Sequence, residues 1–444
     1  MDLISQTVVD GKAGPGAGTA YPTLPDVDLA DIFRFSKGQP FADYARMRRE
    51  APVMWHAEPY GGPGFWAVTR HADVMTVNGD PTTYSSQRGG ILMAMGPPDR
   101  RHALLFRASM DTMINLDAPH HLQLRREHMP YFTPSYLRGV TEAVKGEVTR
   151  LLDAMEPLLE GGAEIDMVEH FSSVLPLFTL CEILGVPPED RSKFLTWMHY
   201  LERAQDLAVQ QAAAPITPTL ELMQFVQDFN TNVEEMFDYG RKMLLKRRED
   251  PQNDLMTAIA RAQVDGALLV DEYLDGSWLL IVFAGNDTTR NTLSGAMKLL
   301  TEFPDQRQLL IDDPSLIGGA VDEFIRMVSP VIYMRRTATA DTELNGQLIR
   351  EGEKVIMYYG AANRDPEVFP DPDQLDVKRP NAGKHIAFGY GPHTCIGKRV
   401  AQIQLEEAYR QILARFPDLK ATGEIEIAPN NFVHAISKLM VRRG

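Results

Sequence analysis

Phe388-Gly389-Tyr390-Gly391-Pro392-His393-Thr394-Cys395-Ile396-Gly397 is the stretch that decides how this chain is read. It has the form F-G-x-G-x-H-x-C-x-G, with glycines on both sides of one thiol. Without Cβ atoms, such a backbone can lie flat against a partner. Val400, Ala401, Leu405, Ala408, Ile412 and Phe416 follow at helical spacing. Cys395 therefore stands where a Gly-rich loop meets a helix N-terminus, and the positive end of the helix dipole favours a thiolate there. A lone cysteine is ordinarily a small buried hydrophobe. The bracketing glycines and the helix that follows set Cys395 apart. Cys181, in Leu180-Cys181-Glu182-Ile183, reads as helix core.

The bulk composition removes several function classes. The chain has 444 residues, 44% of them hydrophobic, which is enough to bury a large core. Its formal net charge of -15 repels phosphate backbones, so nucleic acid is not expected as a partner. Two cysteines without a Cys-x-x-Cys make no disulfide framework. No charged-then-apolar leader opens the chain. The longest apolar run, Trp278 to Ala284, falls far short of the roughly 20 residues needed to cross a bilayer. The expectation is a soluble, cytoplasmic protein. Residues 1–24, rich in Gly and Ala, read as a flexible tail. Residues 25–444 contain no linker, repeat or low-complexity tract and read as one catalytic domain.

Helical periodicity dominates near 141–160, 171–185, 219–246, 272–301, 315–328 and 399–416. Short strands are expected at Gly64–Val68, at 343–349 around an Asn345-Gly346 turn, at 354–359, and within Phe432–Val441. The fold class is mainly α with a small β region. Residues 89–115 show no steady period and carry the apolar cluster Ile91, Leu92, Met93 and Met95. They read either as a flap over the core or as a lid over an apolar pocket, open or closed.

The run Trp278 to Ala284 is apolar on every face and belongs inside. Gly285-Asn286-Asp287-Thr288-Thr289 interrupts it. Mid-helix Gly costs about 1 kcal/mol relative to Ala, and Thr hydroxyls can bend a helix by bonding the preceding turn. Either the helix simply surfaces at Asn286, or buried polarity is placed there for use.

A thiolate on a closely approaching loop suits axial ligation of haem iron, and the combination of motifs resembles the cytochrome P-450 superfamily. The Cys395 loop resembles its Cys-ligand loop. Ala284-Gly285-Asn286-Asp287-Thr288-Thr289 resembles its A/G-G-x-D/E-T sequence. The resemblance runs from about Asp31 to Val441, with the motifs in family order. It implies a triangular, helix-rich fold holding heme b between a long central helix and the Cys loop. It also implies haem contacts at Phe388, Gly389, Gly397 and Ala284, with Thr288 protonating dioxygen and Asp287 relaying protons. Proton delivery to an O–O bond in a dry pocket needs an alcohol backed by an acid. Glu323-Phe324-Ile325-Arg326 is by itself an ordinary i, i+3 ion pair. By position it resembles the family's E-x-x-R, with Arg379 as third member of a structural network.

Haem propionates need cations or donors. Asp117-Ala118-Pro119-His120-His121-Leu122-Gln123-Leu124-Arg125 resembles D-P-P-x-H-x-x-x-R, with Ala118 in place of a Pro. It implies His121 and Arg125. Met334-Arg335-Arg336-Thr337-Ala338 implies Arg336, and His393 is the last member. The doublets His120/His121 and Arg335/Arg336 leave a one-residue ambiguity.

The resemblance implies a haem-thiolate monooxygenase that inserts one atom of O2 into a C–H bond. Two other readings stay open: a peroxide-driven peroxygenase, and a non-catalytic haem or hydrophobe sensor. No dinucleotide fingerprint is present, because Thr394 stands where the third Gly must be. Electrons are thus expected from a ferredoxin-type partner with its reductase, docking on Arg126, Lys398 and Arg399. The substrate expected is an apolar small molecule: a terpenoid, a sterol or alkyl chain, or an aromatic hydrocarbon. Pocket candidates are Met93, Met95, Leu280, Phe283, Val331, Ile332, Tyr333, Met334, Phe432 and Val433.

Overall fold

The apolar period around 141–160 becomes the helix Pro134–Met155, whose buried stripe runs Val140, Val144, Val148, Leu151, Leu152, Met155. This computed structural model describes residues 21–58, 62–93, 102–213, 219–423 and 425–444. The other expected helices are present. Val174–Leu184 follows a π turn at Val168–Ser172. Leu220–Glu249 is capped by Thr219, whose side chain accepts from the Leu222 N–H. Ile317–Val328 and Lys398–Arg415 complete the set. Together with Asp287–Glu302, these helices share one large apolar core that includes Val144, Phe171, Leu293, Phe324 and Tyr409. None of the described helices is long and apolar enough to cross a membrane.

The main sheet has five strands in the order Val53–His56, Phe65–Val68, Lys354–Tyr358, Tyr333–Ala338, Tyr84–Ser85. Its interior strands are buried on both faces, so Phe65–Val68 and Lys354–Tyr358 read as apolar runs rather than alternations. The expected hairpin pairs Thr342–Leu344 with Gln347–Ile349. Asn345 and Gly346 both have positive φ, 50° and 73°, as a two-residue turn of this hand requires. At the C-terminus, Ala435–Lys438 pairs with Glu426–Ala428, and Met440–Arg442 joins Ile165–Asp166 to Lys420–Ala421.

Two expectations change. The stretch 89–115 is not loop throughout: Ala103–Met110 is a helix, with His102 Nδ1 accepting from the Leu105 N–H. It lies so close to the central helix that a Cβ on Gly276 would fall 2.5 Å from the Asp111 carbonyl oxygen. Two turns are too few to establish a period against the flanking polar residues, which is why pattern reading passes over it. Residues 94–101, Met95 among them, lie outside the described residues. At the N-terminus, residues 1–20 lie outside as well, but packing begins before residue 25. The Tyr21 ring sits 5.1 Å from Trp55 and 4.8 Å from Trp66, and Trp55 N–H donates to the Pro22 carbonyl. Two indoles offer a four-residue extension enough apolar surface to hold it.

What fixes the chain beneath the Cys loop is a buried carboxylate. Glu323 and Arg326 are both fully buried. Arg326 Nε and Nη2 donate to Glu323 at 2.7 and 2.8 Å, and Arg379 Nε donates at 3.0 Å. Arg326 Nη2 also donates to the Met327 sulfur at 2.9 Å, and the other guanidinium contacts are to main chain. Arg326 Nη1 reaches the Asn363 and Pro372 carbonyls, and Arg379 those of Pro370, Asp371 and Gln374. Every donor is spoken for, which is the condition under which a buried ion pair holds. Replacing Glu323 with Ala strands two buried guanidiniums, and the expected loss is about 3–5 kcal/mol. Urea titration should show it. A variant within about 0.5 kcal/mol of wild type would mean that the network is incidental.

Candidate functional site

The helix that runs through the interior breaks where the polar residues begin. Asp271–Ala284 ends, Gly285 and Asn286 bridge, and Asp287–Glu302 resumes. Thr288 Oγ1 donates to the Ala284 carbonyl at 3.2 Å. Asn291 Nδ2 donates to the Asp287 carbonyl at 2.7 Å. Side chains have taken over carbonyls that the main chain would otherwise cover, and the helix opens there. Trp278, Leu279 and Val282 are buried, yet Leu280, Ala284 and Thr288, four residues apart, are not. Phe283 is also partly open. One face of an interior helix is thus partly open.

Asp287 faces the other way. It lines a polar cavity of about 210 Å³ with Ser173, Arg290, Asn291, Asn430 and Ser437. Arg290 Nη2 lies 3.4 Å from its carboxylate. The neighbouring Asn286 is buried, and its Oδ1 accepts no hydrogen bond from protein. Acid and alcohol are adjacent in sequence but open on opposite sides of the break.

Cys395 is exposed although protein surrounds its loop, as a thiol on the floor of a cavity would be. Its N–H donates to the Phe388 carbonyl at 2.8 Å, closing the loop. Gly389 and Gly391 have φ of 73° and 71°. A Cβ on Gly391 would also fall 2.7 Å from the Asn78 carbonyl oxygen, so only glycine serves there. The N–H groups of Gly397 and Lys398 point at the sulfur, and Arg125 lies within electrostatic range. Burial nonetheless outweighs these and raises the thiol pKa. The helix end therefore pulls toward thiolate as expected, against the opposing effect of burial.

The basic residues gather beside it. His121 is buried and stacks on His393, ring centroids 3.9 Å apart. Burial, with Arg125 adding to it, lowers His121 to about 4; burial and Arg336 take His393 down to about 2. Arg336 is buried and its pKa is depressed by burial. It donates to the Arg335 carbonyl and to Asn78 Oδ1. The nearby carboxylate, Asp117, is already engaged by the Ser85 hydroxyl and the Ser86 N–H. Four basic side chains therefore converge on a region short of negative charge, which fits a ligand carrying carboxylates. Both doublets resolve. His120 turns away to Asp265, 3.3 Å, and Tyr273. Arg335, one residue along the strand, points to the opposite sheet face and donates to the Leu92 and Arg88 carbonyls.

The same alternation divides the pocket candidates. Met334 is partly open, on the Arg336 face, and Val331, Phe432 and Val433 are also partly open. Tyr333 faces the other side, buried beside Tyr358, with its hydroxyl accepting from the Met93 N–H at 3.0 Å. Met93 and Ile332 are buried in the same cluster. These three belong to the core behind the sheet, not to an open surface. Of the expected docking cations, Arg126 is exposed, whereas Arg399 pairs with Glu406 at 2.7 Å and Lys398 lies over the Phe388 ring. Pattern reading passes over Asn78, which backs Arg336, and Tyr359, whose hydroxyl meets Asn78. No local spacing marks either residue; packing of the helix His71–Gly79 against the short helix Tyr359–Ala362 brings them together.

Comparison with known proteins agrees with this geometry. The family model for cytochrome P-450 matches residues 98–313 and 315–441. Linalool 8-monooxygenase of Pseudomonas putida is 33% identical over 424 residues, covering 94% of this chain and 98% of that protein. Steroid C26-monooxygenase of Mycobacterium tuberculosis is 33% identical over 420 residues, covering 94% and 97%. A Mycobacterium marinum cytochrome P-450 solved in complex with pseudoionone superposes with a TM-score of 0.81. It is 33% identical, and the match covers 96% of this chain and all of that one. With its interior helix broken at an acid–alcohol step and its Gly-bracketed thiol, the chain belongs to the cytochrome P-450 family of monooxygenases, whose cofactor is haem-thiolate.

Proposed function

We propose that in this monooxygenase Cys395 would hold the iron of heme b, and that the substrate hydroxylated is an apolar molecule of terpenoid or steroid type. The observation that carries the reading is the charge imbalance beside the open thiol. Arg125, Arg336, His121 and His393 converge where Asp117 is already satisfied, so two propionates have partners waiting. When bound, haem supplies the one-electron and oxygen chemistry that no side chain can. Phe388, Gly389 and Gly397 shape the proximal side, and Ala284 leaves room on the distal side. Thr288 holds a hydroxyl on the open face. Asp287, one residue before it, reaches the polar cavity, from which it draws protons and passes them inward. Leu280, Phe283, Val331 and Met334 offer apolar surface with no charged group among them, and Met334 lets it adapt to shape. The names of the relatives, linalool and steroid monooxygenases, support the same class. The acid–alcohol step favours O2 with a donor over peroxide, and makes a purely binding role superfluous.

Replacing Cys395 with His tests the ligand. The variant should still bind haem but lose the red-shifted Soret band of the ferrous–CO thiolate form. A band that survives would remove Cys395 from the site.

The acid and the alcohol should fail differently. Thr288→Ala should go on consuming reductant while diverting oxygen to peroxide or water, with product falling at least about tenfold. Asp287→Asn should slow oxygen consumption itself. Unchanged coupling in the first variant, or an unchanged oxygen rate in the second, would assign the proton path elsewhere.

The electron donor is proposed to be an acidic ferredoxin. Steering between opposite charges is screened beyond about 8–10 Å at physiological salt. Reduction should slow as salt rises and slow further in Arg126→Glu, while ligand-induced spin-state shifts with linalool stay as in wild type. A reduction rate indifferent to both places the donor on another face.

A further inference from the structure

Lys398 opens the helix Lys398–Arg415 and is only partly exposed. Its amide N–H points at the Cys395 sulfur, and its ammonium lies 5.5 Å from the centroid of the Phe388 ring. Phe388 is itself tied to Cys395, whose N–H donates to its carbonyl. On another side of Phe388 the His385 ring sits 5.5 Å away. His385 is buried, and its Nδ1 accepts from the Ala387 N–H at 3.2 Å, so the ring proton is on Nε2. That Nε2 faces Asp322 Oδ1 at 3.6 Å, an electrostatic approach too long for a hydrogen bond. Gln402 Nε2 donates to the same oxygen at 2.8 Å. Burial works against ionisation of Asp322, but His385, Gln402 and the Lys398 charge hold its carboxyl below the usual carboxylate value. Three separate elements thus place one ammonium over Phe388, whose carbonyl is bonded to Cys395, and one carboxylate behind His385, the ring next to it.

We infer that Lys398 and Asp322 form an opposed charge pair that sets the electron affinity of the thiolate centre, and that Lys398 is a positioning and tuning residue instead of a docking cation. The inference rests on the reading of Cys395 as the iron ligand. Reduction adds one negative charge to the centre. A nearby cation favours the reduced form and a nearby anion opposes it, and both act more strongly in a low-dielectric surround than in water. In the intact protein the two contributions oppose each other. Removing either one exposes the other.

The test is the midpoint potential of the holoenzyme by dye-mediated redox titration. Lys398→Met should shift it negative and Asp322→Asn positive, each changing the ferric–ferrous equilibrium several-fold. A tenfold change would be about 59 mV for one electron. The double variant should return toward wild type, and Lys398→Arg, which keeps the charge, should not move it. Should Asp322→Asn fail to hold haem, the Lys398 pair of variants decides alone. An unchanged potential in Lys398→Met, with slower reduction by the donor, would return Lys398 to a docking role. Shifts of one sign in both single variants would mean that the loop is merely disturbed. Absence of the red-shifted ferrous–CO band from the wild type would instead defeat the ligand assignment, a failure visible before any potential is read.

Discussion

A carboxylate with no access to water organises the half of the molecule that carries the thiol. Glu323 is buried completely, and its charge is tolerable only because Arg326 and Arg379 meet it. Those guanidiniums in turn need acceptors, which they find in the carbonyls of Asn363, Pro370, Asp371, Pro372 and Gln374. A meander with almost no regular structure is thereby held as firmly as a helix. Asn363 extends the hold: its amide donates to Ser329 and its carbonyl accepts from the Ile386 N–H. Ile386 is two residues from Phe388, so the Cys loop starts from a fixed point.

Electrostatics inside this protein run against its outward charge. The chain carries -15 overall, yet the space beside Cys395 is ringed by Arg125, Arg336, His121 and His393. Burial strips the imidazoles of their protons, and the two rings stack at 3.9 Å as neutral partners. The arginines cannot discharge in the same way. Their unbalanced charge is costly without an anion, so cofactor binding and folding are expected to reinforce each other.

The distal side is organised by a different compromise. Opening the helix at Gly285–Asn286 forfeits main-chain hydrogen bonds, and Thr288 recovers part of the loss by bonding the Ala284 carbonyl one turn back. The opening separates two surfaces along one helix. Leu280, Ala284 and Thr288 lie on one partly open face, while Asp287 and Asn291 border the polar cavity.

The residues whose roles are local were legible in the sequence. Cys395 among its glycines and the Asp287–Thr288 step in an all-apolar helix stand out because their reading depends on neighbours a few positions away, whereas Glu323 and Arg326 stand out only by their place between those two motifs. The long helices and the Asn345-Gly346 hairpin were legible for the same reason. Register and long-range pairing were not. Only the strand pairing shows that Arg336, not Arg335, faces the histidines, and that Tyr333 lies behind the sheet with Met93. Only the tertiary packing joins Asp322 to His385 and Lys398, residues 63 and 76 positions apart from it in the chain. Period and composition record which face of an element is apolar. They do not record which distant element covers it, because that is decided by how the faces fit together once the chain is compact.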